Sequence, residues 1–353
     1  MNITFLIGNG FDRNLGLDTT YADFINAYKA TKSGSKILEK FRNHIKDNEK
    51  LWRNAEIALG KYTSEFEVGD GMSFSECHQD ICEHLVEFLK NEEKRFLCNE
   101  CIDNIFSAFK GIVEPYAPFP TLEKATINSV FNKLVDGRRI FNFICYNYTS
   151  TLDQILDIVK QNESKILGQH QSRGITYPHS LGRVCHVHGT LDKEIVFAVN
   201  DETQIVNPEI FDFEDGEICK NLLIKQNANA LYQENTDAKA NQILQESNII
   251  YIYGMSLGET DALWWKRVCA WLAQNSEHHV IIQNYEMLHK GVYQLPYLLA
   301  EKRRKMQLLS YSELDDATKQ ALYKRIHVTG ANIFSELHNV AIGSKGILSE
   351  KLA

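Results

Sequence analysis

Short apolar runs recur along the chain with helical stretches between them, and this spacing constrains the fold more than any other feature. The runs lie at residues 3–7, 140–145, 185–189, 195–199, 249–253 and 279–284. Apolar segments of four to eight residues that alternate with helices are typical of buried strands in a parallel sheet that has helices on both faces. We therefore predict an α/β fold with a mostly parallel sheet.

A long helical segment separates the first strand from the second. Between about residues 21 and 133, apolar residues recur at spacings of three and four, which predicts amphipathic helices. Further along, we expect a loop at 161–179, helices at 219–245, and a helix in which Trp264 and Trp265 belong to the core. The predicted division of the chain is a nucleotide-binding α/β core, a large helical insertion and a C-terminal helical region, at 1–25 with 136–290, 26–135 and 291–353.

Charge and composition exclude several classes of function. Lys and Arg number 38 against 46 Asp and Glu, a net charge of −8, which argues against general binding to nucleic acid or to an anionic membrane. No apolar run approaches the roughly 20 residues that span a bilayer, and the first ten residues do not resemble a signal peptide. We expect a cytoplasmic protein.

The eight cysteines are then expected to be reduced thiols. Cys98 and Cys101 form one CxxC motif, but the second motif of a zinc ribbon is absent from the sequence. A mixed site with Cys77 and His78 stays open as an alternative. Packing inside helical faces is the preferred interpretation, and no metal site is predicted.

Unusual residues follow four of the predicted strands. Because ligands of open parallel sheets bind at the carboxyl ends of the strands, these four loops together indicate one site. The first loop is a glycine turn between a strand and a helix, the usual beginning of a nucleotide-binding unit, so we predict a Rossmann-like sheet. The loops lie at residues 8–12, 146–149, 186–189 and 254–257.

The glycine turn does not fit an ordinary dinucleotide fingerprint. GxGxxG needs a third glycine at position 13, where the chain has Arg13, and the next glycine is Gly16. Glycines still allow a ligand to approach the backbone closely, whereas Asp12 would repel a pyrophosphate beside it. The alternative is a purely structural strand-to-helix turn in which Asp12 caps the helix.

Asn147 and His188 are the candidate catalytic residues. Histidine is the natural general base near neutral pH, and an asparagine amide can orient a sugar hydroxyl or a water molecule. The alternatives are a turn residue at Asn147 and a strand-end histidine that is bonded to backbone at His188. His186 would point to the opposite sheet face in an extended segment, so a metal site with two histidines is not expected. No GxSxG, HExxH or GxxxxGK[ST] motif is present.

These motifs resemble those of the AbiH family of bacterial abortive-infection proteins. The resemblance covers about residues 1–285 and rests on the segments 7–12, 16–17, 21–24, 146–152, 186–189 and 253–261, with Trp52 and Glu56. It implies defence against bacteriophage by arresting or killing the infected cell.

A more distant resemblance connects the same four loops to sirtuin-like NAD-binding domains. Gly8, Gly10 and Gly16 fall on the spacing of the sirtuin opening, and His188-Gly189 is similar to the catalytic His-Gly. Two positions depart from that pattern. Asp12 stands where sirtuins have serine, and Thr149 stands where they have the aspartate that recognises nicotinamide. No sirtuin-like CxxC pairs follow His188, so neither that zinc module nor a protein deacylase is expected.

The resemblance implies a sirtuin-like core that hydrolyses the nicotinamide–ribose bond of NAD or of a related nucleotide, with NAD as substrate and no prosthetic group. His188 is the base and Asn147 orients the ribose or the attacking water. The residues expected to contact the nucleotide are Gly8, Asn9, Gly10, Phe11, Asp12, Tyr148, Thr149, Gly189, Gly254, Ser256, Leu257, Asp261 and Asn284.

Two other classes of function stay open. The loops could hold a nucleotide without turnover, in a sensor or in a receptor for a phage protein. A metal-dependent nuclease would need Asp12, Glu56 and Asp261 to meet in the fold. The sequence does not identify a phage-encoded trigger or the oligomeric state, and it leaves a homo-oligomer open.

Overall fold

The computed structural model describes residues 1–232, 235–285 and 294–340. Six strands form one parallel sheet in the order β5-β2-β1-β6-β7-β8, and β3 and β4 form a separate antiparallel hairpin. The strands are β1 Asn2–Ile7, β2 Ile140–Cys145, β3 Gln169–Ser172, β4 Ile175–Pro178, β5 Ser180–His186, β6 Ile249–Tyr253, β7 His279–Gln283 and β8 Ile326–Thr329. The prediction of an α/β fold with a mostly parallel sheet is confirmed.

The chain changes direction across the sheet at β1. After β1 it builds β2 and β5 on one side, and then crosses to build β6, β7 and β8 on the other side. Ile7 lies opposite both Cys145 of β2 and Tyr253 of β6, so these three strands end at the same level. The loops that leave them are therefore neighbours, at the crossover where open α/β sheets bind ligands.

The alternation of buried side chains along β1 explains why helices cover both faces of the sheet. Phe5 stacks on Phe143 with ring centroids 5.3 Å apart, in a cluster that also contains residues of α7, α8 and α9. Leu6 points to the opposite face, into a cluster with residues of α13, α14 and α15. Trp264 and Trp265 of α14 are buried in this second cluster, as predicted. The helices are α1 Gly10–Leu15, α2 Tyr21–Tyr28, α3 Lys36–Asp47, α4 Glu49–Trp52, α5 Ala55–Tyr62, α6 Gly71–Glu93, α7 Ile102–Gly111, α8 Thr121–Lys133, α9 Thr151–Gln161, α10 Glu163–Ile166, α11 Gly216–Leu222, α12 Lys225–Leu231, α13 Thr236–Gln245, α14 Ala262–Gln274, α15 Leu295–Ser310 and α16 Asp316–Tyr323.

The helical insertion contributes to two different cores. Helices α2 to α6 pack around Phe41, Trp52 and Tyr62 in a cluster of their own, which also contains Phe197 and Phe211. Helices α7 and α8 instead cover one face of the sheet. Cys98 and Cys101 are buried in the sheet cluster, so these two thiols pack in the core. The domain limits themselves stay a prediction.

Three expectations about secondary structure are wrong. Residues 195–199 form no strand, and only Val199 makes an isolated bridge, with Ile224. The alternation there has another cause, because Phe197 and Val199 face the insertion core while Val196 and Ala198 face a small separate cluster. The expected loop at 161–179 contains α10 and the β3–β4 hairpin. The expected C-terminal helical region contributes β8 to the sheet.

The third predicted strand is displaced rather than absent. β5 begins at Ser180 and ends at His186, so residues 187–189 lie beyond it. It is an edge strand, and Arg183 and Val184 are exposed. The first half of β5 therefore lacks the apolar run by which a buried strand is predicted from sequence. Within the described ranges, no helix combines the length and apolar character needed to cross a membrane.

Candidate functional site

A cleft of about 1270 Å³ opens where the chain crosses over in the sheet. Its walls are the loops after β1, β2, β5 and β6, and residues of α5 and α6 from the insertion line it as well. Small-molecule sites usually measure about 300–1000 Å³, so a ligand of nucleotide size fits. Eleven predicted site residues line the cleft: Gly8, Asn9, Gly10, Asp12, Asn147, Tyr148, Thr149, His188, Gly254, Ser256 and Asp261.

Four predicted contacts lie outside the cleft lining. The ring of Phe11 is buried against Phe334, with centroids 5.3 Å apart. Asn284 is buried, and its neighbour Gln283 lines the cleft in its place. Gly189 and Leu257 both have positive φ angles, 80° and 54°, and shape the turns that follow their strands. Each of these four residues adjoins a residue that lines the cleft but does not line it itself.

The glycine turn has a structural explanation. The amides of Gly8 and Gly10 donate to the carbonyls of Tyr253 and Gly254, each at 2.9 Å, so these two amides are engaged between β1 and β6. A Cβ atom at Gly10 would lie 2.4 Å from the Cα of Gly254, so only glycine fits. The side chain of Asn9 is bonded to Thr19. The glycines therefore serve the close approach of two loops.

Asp12 connects the first loop to the second. It is 1% exposed, and its two carboxylate oxygens accept hydrogen bonds from the hydroxyls of Thr149 at 2.7 Å and Thr151 at 2.6 Å. Burial raises the pKa of Asp12 to about 6, and the two hydroxyls only partly oppose this effect. The two residues that depart from the sirtuin pattern, Asp12 and Thr149, are thus in direct contact.

Asparagine at position 12 is expected to stabilise the protein above pH 6. The pKa of Asp12 is higher in the fold than the ordinary aspartate value of 3.8, so the ionised form costs stability as the pH rises from about 4 to about 6. Removing that cost should raise the free energy of unfolding by about 1–3 kcal/mol at pH 8, and by little at pH 4. Denaturant titration at both pH values measures the difference.

Asp201→Asn is the matched control for this prediction. Hydrogen bonds from Thr203 lower the pKa of Asp201, so its ionised form contributes stability above the normal carboxyl range. Asp201→Asn should therefore not stabilise the protein at pH 8. An Asp12→Asn variant that is less stable than the wild type at pH 8 would contradict the assignment.

His188 and Asp261 form a buried pair at one end of the cleft. Nε2 of His188 lies 3.3 Å from Oδ1 of Asp261, and a carboxylate can only accept, so Nε2 carries the proton. Burial alone would raise the pKa of Asp261, but the Lys225 ammonium and the contact with His188 lower it to about 2. Nδ1 of His188 is buried and has no partner within the described part of the chain. In the tautomer with its proton on Nε2, the lone pair of the ring lies on Nδ1.

Behind this pair lies a set of charges that the sequence pattern did not indicate. The Lys225 ammonium lies 2.9 Å from Glu56 Oε2 and 3.5 Å from Asp261 Oδ1. Tyr21 donates its hydroxyl proton to Glu56 at 2.7 Å. These residues come from α2, α5 and α12, and no spacing along the chain relates them. Glu56 belonged to the family resemblance, but nothing marked Lys225.

Asn147 is held through its backbone. The ring of His186 donates from Nδ1 to the carbonyl of Asn147 at 3.1 Å and from Nε2 to Asp153 at 2.9 Å. Burial disfavours charge on His186, but its contacts with Cys145 and Asp153 outweigh burial and raise its pKa to about 11. Nδ2 of Asn147 is buried and makes no close hydrogen bond among the described residues, but the Asn147 side chain lies near enough to Asp12 to lower the pKa of that carboxyl. The two histidines thus differ: His186 supports Asn147, and His188 faces Asp261.

The three acids of the nuclease alternative do not form a metal-binding cluster. Glu56 and Asp261 share the ammonium of Lys225, whereas Asp12 is bonded to Thr149 and Thr151. Across residues 1–232, 235–285 and 294–340, no three His, Cys, Asp or Glu side chains are placed to hold a metal ion. The three acids therefore do not meet in the way that the nuclease alternative requires.

Fold and site together define an α/β protein with a ligand-sized cleft at the crossover of a parallel sheet. The family model described as bacteriophage abortive infection AbiH matches residues 4–283, and the chain belongs to this family. Membership implies a role in abortive infection by phage. Comparisons with curated proteins and with solved structures found no match.

Proposed function

We propose that this protein acts in abortive infection by hydrolysing the nicotinamide–ribose bond of NAD or of a closely related nucleotide. The strand order supports the proposal. In order along the chain, the six sheet strands are arranged 3-2-1-4-5-6, the Rossmann-like order that binds dinucleotides at the crossover. The cleft lies at that crossover and has the size for such a ligand.

The observation that carries the proposal is the pair of His188 and Asp261. Asp261 holds the proton on Nε2, which leaves the lone pair of Nδ1 available as a general base. A buried polar atom without a partner costs free energy, so its persistence beside a cleft favours a ligand as the missing partner.

The reaction needs few groups. The bond between C1′ of the ribose and the nicotinamide nitrogen breaks through an oxocarbenium-like state, and nicotinamide leaves as a neutral molecule with the bonding electron pair. A water oxygen bonds to C1′, and Nδ1 of His188 takes the proton that this water loses. Asn147 donates from Nδ2 to the water or to a ribose hydroxyl, which orients it. The products are nicotinamide, ADP-ribose and one proton.

The contact between Asp12 and Thr149 bears on the leaving group. In the sirtuin-like pattern a hydroxyl stands at the first position and a carboxylate at the second, and here the two groups are exchanged. Their hydrogen bond of 2.7 Å keeps both groups at the same place in the cleft. We propose that this pair lies beside the nicotinamide amide.

Arginines are the preferred partners for the phosphates. The amides of Gly8 and Gly10 are engaged with β6, so they are not offered to a ligand. Arg13, Arg53 and Arg304 line the cleft. Arg13 is paired with Asp23 and Arg304 donates to the carbonyl of Ser256, but a guanidinium has five N–H donors and suits phosphate oxygens. We therefore move the proposed phosphate contacts from the glycine turn to these arginines.

Infected bacteria test the proposal in the setting where the family acts. Cells that express the chain are infected with a phage against which it protects, and cellular NAD is followed through infection. NAD should fall with the wild type, and Asn147→Ala should slow the loss about 100-fold, the effect of removing one oriented donor. Asn132→Ala, an exposed change on α8, should behave as the wild type does.

Two results of this experiment would contradict parts of the proposal. Full protection by the wild type with unchanged cellular NAD would contradict NAD hydrolysis. It would favour a protein that binds a nucleotide or a phage product without turnover. NAD loss in the absence of phage would instead contradict the need for a phage-encoded trigger.

A further inference from the structure

Lys225, the first residue of α12, is a buried lysine that no sequence motif marks. It is 7% exposed, and its ammonium donates to the carbonyl of Thr260 at 2.7 Å. Its other neighbours are Glu56 at 2.9 Å and Asp261 at 3.5 Å. One cation is therefore shared between a carboxylate of the insertion and the carboxylate that holds His188.

We infer that Lys225 is a positioning residue that determines the pH range in which His188 can act as a base. The inference rests on the proposed function, because it concerns the histidine that is assigned there as the base. It adds a residue that does not itself line the cleft, and whose ammonium contacts Glu56, Thr260 and Asp261, which do.

The physical basis is competition for one carboxylate oxygen. Oδ1 of Asp261 contacts both the Lys225 ammonium and Nε2 of His188. A charged His188 ring is attracted to Asp261, and that attraction is weaker while the ammonium already neutralises the carboxylate. Lys225 thus helps to keep the ring neutral and its Nδ1 lone pair free.

Glu56 has the opposite effect on His188, because it competes with Asp261 for the Lys225 ammonium. The ammonium lies closer to Glu56 than to Asp261. Without the charge of Glu56, the Lys225 ammonium should neutralise Asp261 more fully, which disfavours a charged His188 ring. The titratable groups around His188 that bear on this balance are Asp261, Lys225, Glu56, the hydroxyls of Tyr146 and Tyr148, and Asp237 across a small shared cavity.

Two substitutions should therefore shift the pH profile in opposite directions. Lys225→Met leaves two carboxylates without their cation and favours a charged His188, so the acidic limb of kcat/KM for nicotinamide release should move up by about one to two pH units. Glu56→Gln should move the same limb down. A purely structural role for Lys225 would lower activity at every pH without moving the limb.

A second readout does not depend on catalysis. The protonation midpoint of the His188 ring, followed by NMR of its carbon-bound protons, should move up in Lys225→Met and down in Glu56→Gln. The matched control is Lys305→Met, because Lys305 is also 7% exposed and paired with a carboxylate, Glu301, on α15. The control should leave the midpoint unchanged.

The outcomes separate the two proposals. If the wild type releases no nicotinamide but the NMR midpoints move in opposite directions, the inference stands and the proposed function fails. If the wild type cleaves NAD but neither variant moves the midpoint or the limb, the inference is overturned and the function stands. Should Lys225→Met fail to fold, Glu56→Gln alone decides, since an unmoved midpoint there also overturns the inference.

Discussion

Alanine in place of His188 is expected to slow nicotinamide release from NAD by about 10²- to 10⁴-fold, the range for loss of a positioned general base. The substitution removes the only ring nitrogen assigned to take the proton of the attacking water. Asp261→Asn should have a comparable effect for a different reason. The asparagine oxygen would still face both Nε2 and the Lys225 ammonium, which share one oxygen of Asp261, but without a negative charge it would no longer stabilise the positive ring that forms when Nδ1 takes the proton.

The control for this prediction is His84→Ala. His84 is a half-buried histidine on α6 whose Nδ1 bonds the carbonyl of Asp80 in its own helix, away from the cleft. It should keep the wild-type rate. Nicotinamide release by His188→Ala within tenfold of the wild type, with both proteins folded, would contradict the assignment of the base.

Alanine in place of Gly254 is expected to lower the free energy of unfolding by about 3 kcal/mol or more. Its φ angle of 67° is in the left-handed region, where a side chain costs about 1–2 kcal/mol. The added Cβ would also lie 2.7 Å from the Cα of Gly10. Overpacking of this kind typically lowers stability by about 1–3 kcal/mol. Denaturant unfolding of the two proteins measures the difference.

Gly34→Ala is the matched control for Gly254→Ala. A Cβ atom at Gly34 meets no described atom within 4 Å, and its φ angle is not in the left-handed region. This control should change stability by less than about 1 kcal/mol. Equal stability of Gly254→Ala and the wild type would show that the β1 and β6 loops do not approach each other as described.

Strands in the centre of the sheet are the best predicted part of the fold. β2 and β6 occupy the expected residues, because strands buried on both faces are continuous apolar runs. Edge strands lack that signal. β5 is half polar, and β8 has only four residues, Ile326–Thr329. Residues 195–199 gave a false signal because their alternation serves two small cores rather than a sheet.

Loops at strand ends were predictable because topology brings them together. Once β1, β2 and β6 are parallel and in register, Asn147 and Gly254 must lie near the glycine turn. The charges behind the cleft were not predictable in this way. Lys225 and Glu56 lie 169 positions apart, on helices whose packing no local pattern specifies. The link from Asp12 to Thr149 likewise needs the three-dimensional structure.

Nicotinamide release by purified protein tests the central claim most directly. The wild type and His188→Ala are incubated with NAD, each alone and with extract of phage-infected cells, and nicotinamide and ADP-ribose are quantified. The account predicts that the wild type forms both products in equal amounts and that His188→Ala does not. Binding of NAD without products from the wild type, in extract of cells that it protects, would contradict it.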